Sequence, residues 1–340
     1  MEHPQASDPF WAPMQCGPAL ERITVPVLLV GGWHDLFIEQ TLEQYRTLAG
    51  RGVPVRLLVG PWAHLDLTTQ GAVAINESLA WLDRYAGLAP KAPKTPNSGT
   101  DSRPAPPDHP VRVWVGGEDA GQWREIAGWP PPGVAEQRWY LGANGSLSPV
   151  EPAAAEPAAD APTASFRYDP ADPTPSPGGA VMAMKAGSQD NRALERRLDV
   201  LVFSSAPLDE PVEILGEVAA EVFLTRDNPY ADLFVRLCDV DPRGQSRNVC
   251  DGIVRLTEAD PLTGTVRVSL IGAAYRFGRG HRIRLQVAGG AFPRFSRNPG
   301  NGQLDATGAD LVPTHYGIGL DAAHPSALLL PVAAGSTGRR

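Results

Sequence analysis

Val25-Pro26-Val27-Leu28-Leu29-Val30-Gly31-Gly32-Trp33-His34-Asp35 decides how this chain is read. The apolar half is a short continuous run, the pattern of a strand buried on both faces. Two glycines then let the backbone turn sharply, and a histidine and an aspartate follow. A second apolar run, Val53 to Val59, ends in Gly60-Pro61-Trp62-Ala63-His64. Between the runs, Ile38, Leu42, Tyr45 and Leu48-Ala49 recur at helical spacing and give way to Gly50 and Gly52. Another helical pattern covers Ile75 to Tyr85, with Leu79 and Leu82 expected inward. Strand, helix, strand, helix is the signature of a parallel sheet.

Both strand ends should fall on one carboxyl edge, where open α/β sheets build their sites. Asp35 and His64 are 29 residues apart in the sequence. One strand-helix-strand unit takes about 30 residues, so the two side chains are expected on neighbouring loops. A carboxylate that accepts the Nδ1–H of an imidazole fixes its tautomer and leaves Nε2 to take a proton from a serine hydroxyl. Asp35 before His64 also matches the chain order serine, acid, histidine of α/β-hydrolases. Taken singly, Asp35 reads as a helix N-cap and His64 as an exposed loop residue; their matched positions favour the pair. Asp66 is the second choice of acid, and His34 reads as structural. No G-x-S-x-G pentapeptide, the signature of the nucleophile turn, occurs in the chain. The 34 residues before Asp35 are too few for the earlier strands and that turn. The expectation is therefore a chain with a triad's acid and base but without its nucleophile.

Leu88 to Pro110 holds seven prolines among polar residues and reads as a linker or a long surface crossing. From Val111 onward short alternating runs recur at Val111–Val115, Arg138–Leu141, Val200–Phe203, Glu221–Leu224, Asp232–Leu237, Val266–Leu270 and Arg282–Val287. Turn residues separate them, which predicts a β-sandwich or jelly roll. The expected division is 1–90 for the rear of an α/β domain, 91–110 for the linker and 111–335 for the jelly roll. Glu151 to Ala164 reads as a disordered or extended insertion within the β region.

The chain has 340 residues, 42% hydrophobic and 20% charged, with a formal net charge of -8. That composition supports sizeable cores and argues against nucleic acid and anionic membranes as partners. No apolar stretch is long enough for a membrane span, and the first residues lack the pattern of a signal peptide, so a cytoplasmic location is expected. The three cysteines, Cys16, Cys238 and Cys250, have no metal-ligand spacing. Cys238 and Cys250 flank the turn-like Asp241-Pro242-Arg243-Gly244-Gln245; two buried thiols are preferred over a disulfide. That turn resembles the start of a calcium loop but lacks its later ligands, so no metal is expected.

Several motifs, in order, resemble one known family: the cocaine-esterase-like and Xaa-Pro dipeptidyl-peptidase-like hydrolases, the CocE/NonD group. They include Asp8-Pro9-Phe10-Trp11, Gly32-Trp33-His34-Asp35 and Gly60-Pro61-Trp62-Ala63-His64. Further along come Tyr168-Asp169-Pro170-Ala171-Asp172-Pro173, Asn248-Val249-Cys250-Asp251-Gly252, Gly280-His281-Arg282-Ile283-Arg284-Leu285 and Phe292-Pro293-Arg294-Phe295-Ser296-Arg297. The resemblance implies the C-terminal part of an α/β-hydrolase domain followed by a jelly-roll β-sandwich of galactose-binding-like architecture. It also implies acyl transfer to water from a small ester or an Xaa-Pro peptide, without a cofactor. Asp35 would orient His64, and His64 would act as base and then acid. Trp33 and Phe37 are candidates for the acyl pocket, with aromatic packing the preferred alternative.

The competing reading is a catalytically inactive jelly-roll binding protein, with carbohydrate as ligand and Trp114, Trp123, Trp129 and Trp139 as an exposed platform. A missing N-terminal half, in cis or in trans, and a homodimer stay open as partners.

Overall fold

The computed structural model describes residues 8–66, 71–87, 109–117, 121–152, 163–183, 185–303 and 308–333. Most of the Pro-rich linker and of the Glu151–Ala164 stretch lies outside these residues. After a single helical turn, α1 (Gly17–Leu20), the chain enters β1 (Val27–His34). β2 (Val55–Ala63) runs parallel to it, in register from Val27↔Val55 to Gly32↔Gly60. The crossover between them is α2 (Ile38–Gly50), which buries Ile38, Leu42, Tyr45 and Leu48, the face its periodicity predicts. β3 (Val111–Gly117) adds in parallel to β2, and β4 (Gln122–Ile126) pairs antiparallel with β3. Val111–Val115 thus continues the first sheet. Period-2 alternation alone could not assign this strand to one sheet or the other.

The helix after β2 is α3 (Ala72–Ala86), closed by Gly87 at φ 65. Here one expectation is overturned: Leu79 and Leu82 are exposed, at 54% and 44%, with Ile75 at 61%, and Trp81 is the buried residue instead. Glu77 accepts hydrogen bonds from Arg56 of β2 (2.8 Å) and Arg112 of β3 (2.6 Å), so its flank lies over those strands. Ile75, Leu79 and Leu82 lie about 140–200° around the helix from Glu77, on the flank away from those two arginines. β1 pairs only with β2 among the described residues. Among the described residues nothing covers the apolar stripe.

The remaining strands build the sandwich. They are β5 (Val134–Gly142), β6 (Ser146–Ser148), β7 (Thr163–Tyr168), β8 (Val200–Ser204), β9 (Val212–Gly216), β10 (Ala219–Arg226) and β11 (Ala231–Val240). Then follow β12 (Ser246–Leu256), β13 (Thr263–Ser269), β14 (Ala273–Phe277), β15 (Arg282–Ala288), β16 (Thr314–Gly319) and β17 (Ala327–Ala333). One antiparallel layer has the order β12-β11-β15-β8. In the other, β10 pairs with β13 on one side and with successive stretches of β16 and β17 on the other; β7 and β5 flank these in turn. Leu237 and Leu285 of the first layer and Val222, Leu224 and Ile318 of the second share a single core with Leu57, Val59 and Val113 of the parallel sheet. Each such side chain contributes about 1.5–3 kcal/mol by burial.

Strand pairing also joins the two parts. β14 pairs antiparallel with β9 and in parallel with β3, through Tyr275↔Gly116 and Arg276↔Gly117. Arg124 of β4 forms a two-pronged ion pair with Glu213 of β9. The Asp241 segment is a hairpin turn, its carboxylate accepting the N–H groups of Arg243 (2.9 Å) and Gln245 (2.8 Å). Cys238 lies opposite Asn248 and Cys250 opposite Leu237, so the two are not cross-strand partners; both are free and buried. Burial pushes the Cys238 thiol up to about 12, so it stays protonated.

Candidate active site

The site begins with a close approach of two backbones. A Cβ on Gly32 would stand 2.1 Å from the carbonyl oxygen of Trp62, so only glycine fits there. Beyond it the pairing slips from Gly32↔Gly60 to His34↔Ala63. This bulge re-aims the end of β1, as bulges commonly do at strand ends. The Asp35 N–H then donates to the Gly32 carbonyl (3.0 Å), and the Ile38 N–H donates to the Asp35 carbonyl (3.1 Å). Asp35 is held in this turn at 5% exposure.

His64 comes off the end of β2, and its Nδ1 lies 3.2 Å from Asp35 Oδ2 and 3.3 Å from Oδ1. The imidazole is 34% exposed. Nε2 has no hydrogen-bond partner among the described residues. Asp35 Oδ1 also accepts the Phe37 N–H (2.9 Å), which combines the capping role with the pairing to His64. A buried carboxylate on Nδ1 and a half-open Nε2 make an imidazole able to receive a proton and pass it on. Asp66, the other acid considered, accepts the Ala63 N–H at 2.9 Å and so braces the turn that carries His64. Sequence reasoning missed that role, although a short polar side chain three residues past a strand end is the pattern of such a turn.

The two pocket candidates part company. The Phe37 ring is half exposed and meets the His64 ring edge-on, 5.5 Å between centroids. Trp33 is buried between sheet and sandwich. Its indole N–H donates to the Trp114 carbonyl (2.7 Å), and its ring lies 5.2 Å from Trp129. His34 is partly buried, and its ring packs near Gly187 of the sandwich. Burial pulls its pKa down to about 4; Asp66 opposes the shift and Arg294 adds to it.

The four tryptophans do not form an exposed platform. Trp129 and Trp139 are buried, and Trp114 and Trp123 pack against each other at 5.5 Å, with Trp62 next to Trp123 at 5.7 Å. Most of this cluster serves the joint between sheet and sandwich, where large rings fill the space between elements. No group of ligating side chains suited to a metal occurs among the described residues. No described helix is long and apolar enough to cross a membrane.

Comparison with known proteins gives this geometry a context. Residues 106–329 match the X-Pro dipeptidyl-peptidase C-terminal non-catalytic domain, and residues 1–66 match the X-Pro dipeptidyl-peptidase (S15 family). The chain is 30% identical to the cocaine esterase of Rhodococcus sp. (strain MB1 Bresler), over 98% of its own length and 60% of that protein's. Two solved structures share the fold at a TM-score of 0.78 and 24% identity: an α-amino acid ester hydrolase and an aminopeptidase from a marine-sediment Thaumarchaeota archaeon. Each alignment covers 96% of this chain and 58% of the other. The chain therefore spans about three-fifths of the length of these relatives. Sheet, sandwich and matched families agree: this chain belongs to the cocaine-esterase-like and Xaa-Pro dipeptidyl-peptidase-like family of serine hydrolases.

Proposed function

We propose that this chain supplies the acid, Asp35, and the base, His64, of a serine-hydrolase triad. The nucleophilic serine would come from polypeptide that continues the sheet beyond β1. The observation that carries the reading is the 3.2 Å contact between His64 Nδ1 and the buried Asp35 carboxylate at the carboxyl edge of a parallel sheet. The second edge of β1, unpaired among the described residues, and the exposed Ile75, Leu79 and Leu82 support the second half, because both are surfaces suited to further strand and helix.

The substrate class is a small acyl ester or an Xaa-Pro peptide. As the serine oxygen bonds to the substrate carbonyl, its proton passes to His64 Nε2 and the carbonyl electrons move to oxygen. Collapse of that adduct breaks the bond to the leaving group, which takes the proton from His64. Water then repeats the sequence on the acyl-enzyme and releases the acid. Asp35 accepts a hydrogen bond throughout and stabilises the imidazolium without being protonated. Phe37, edge-on to the imidazole, would limit the poses open to an acyl group. No observation favours the carbohydrate-binding reading.

The test is a chimera in which this chain replaces the matched part of the Rhodococcus cocaine esterase. A soluble chimera should release 4-nitrophenol from 4-nitrophenyl acetate and lose that activity with His64→Ala. A soluble chimera without activity, or with activity untouched by His64→Ala, would overturn the proposal.

A further inference from the structure

A cavity of about 450 Å³ lies where the parallel sheet meets the sandwich. That volume is within the usual range for small-molecule sites, roughly 300–1,000 Å³. Trp33, His34, Asp66 and Trp114 line it from the carboxyl ends of the parallel sheet, and Arg247 and Tyr275 from the sandwich. Asp35, His64 and Phe37 do not line it.

The polar atoms of its walls are unequally committed. The Trp33 indole N–H is spent on the Trp114 carbonyl, and the Tyr275 hydroxyl donates to Asp239 at 3.0 Å. Both residues therefore offer the cavity apolar ring surface. His34 differs, because neither of its ring nitrogens has a hydrogen-bond partner among the described residues. A neutral imidazole presents one donor and one acceptor, and burial keeps this one neutral at neutral pH. A single water takes about 30 Å³ and cannot fill the space. The charges at the wall, Asp66 and Arg247, are of opposite sign. The Asp66 carboxylate is engaged by the Ala63 N–H, and Arg247 Nε donates to Gln245 at 3.2 Å. With both signs on one wall, a ligand of either charge would meet a like charge as well as an opposite one, which disfavours bringing in an ion.

We infer that this cavity binds a small neutral molecule with an aromatic body and one hydrogen-bonding group, the body lying among Trp33, Trp114 and Tyr275 and the polar group meeting the His34 imidazole. The inference stands apart from the proposed triad, since binding here needs neither a nucleophile nor His64.

The test uses the whole chain labelled with 15N-histidine and titrated with phenol, and with benzoate and benzylammonium as charged probes of similar size. Phenol should give a saturable shift of the His34 ring resonances and a matching change in tryptophan fluorescence. Benzoate and benzylammonium should bind at least about tenfold more weakly, the fold-change of one lost interaction of ordinary strength. His34→Phe should weaken phenol binding by a similar factor while leaving the thermal melt cooperative. His34→Gln, which keeps a donor and an acceptor, should retain part of the binding and serves if the phenylalanine variant does not fold. The absence of a saturable His34 shift up to about 10 mM phenol, the weak limit for so small a ligand, would overturn the inference. Binding of the charged probes as tightly as phenol would overturn it too.

Discussion

Asp35 does two things with one carboxylate: it accepts the Phe37 N–H that starts α2 and it meets His64 Nδ1. Asp35→Asn should keep the first interaction and spoil the second, since an amide can present an N–H to Nδ1 and select the wrong tautomer. In the soluble chimera the expected loss in kcat is about 10⁴-fold, the cost of that substitution in a triad, with the melting temperature changed little. His34 predicts a different behaviour, read in stability. Its folded pKa, about 4, lies below the 6.5 of an unfolded histidine. Between those values the unfolded chain binds more protons, so stability falls as pH drops from about 6.5 toward about 4, by about 3 kcal/mol at full effect. Urea midpoints at pH 7 and pH 5 should differ less for His34→Phe than for the native chain. The contact between Asp35 and His64 was legible because strand-end spacing alone brings the two side chains together. The state of His34 was not, because it is set by a cavity whose far wall, at Arg247 and Tyr275, comes more than 200 residues later in the chain.

At the scale of single elements, β1 and α3 show where sequence patterns reach their limit. Period and breakers located both elements, and the buried face of α2 was read correctly down to Leu48. The same reasoning put Leu79 and Leu82 inside, since periodicity reports that a face is apolar and not whether its partner is present. Leu79→Lys with Leu82→Lys should therefore leave the melt of this chain almost unchanged and reduce its self-association in light scattering. Trp81→Ala, on the buried flank, should cost about 3–5 kcal/mol. In β1, Gly32→Ala has no room beside the Trp62 carbonyl, and overpacking there should cost about 1–3 kcal/mol in urea unfolding.

Across the whole molecule, sheet and sandwich are one hydrophobic body with hydrogen-bonded strands and an ion pair across the joint. Near-ultraviolet circular dichroism, dominated by the tryptophans of that joint, should therefore melt at the same temperature as the far-ultraviolet signal. Two separated transitions would contradict this. The sequence pattern distinguished parallel from alternating strands and so revealed both architectures. It could not reveal that β3 belongs to both, since its pairing with β14 spans more than 150 residues and depends on tertiary packing.

That shared strand bears on how such proteins can be recombined. A cut placed after β3 would strip the sandwich of its parallel neighbour and leave β14 with a raw backbone edge; a cut before β3 would do the same to β2. Neither piece can be traded between relatives as a self-contained cassette. A graft that keeps β1, β2, β3 and β14 from one parent should fold, whereas one that mixes parents across these strands must first re-match their register.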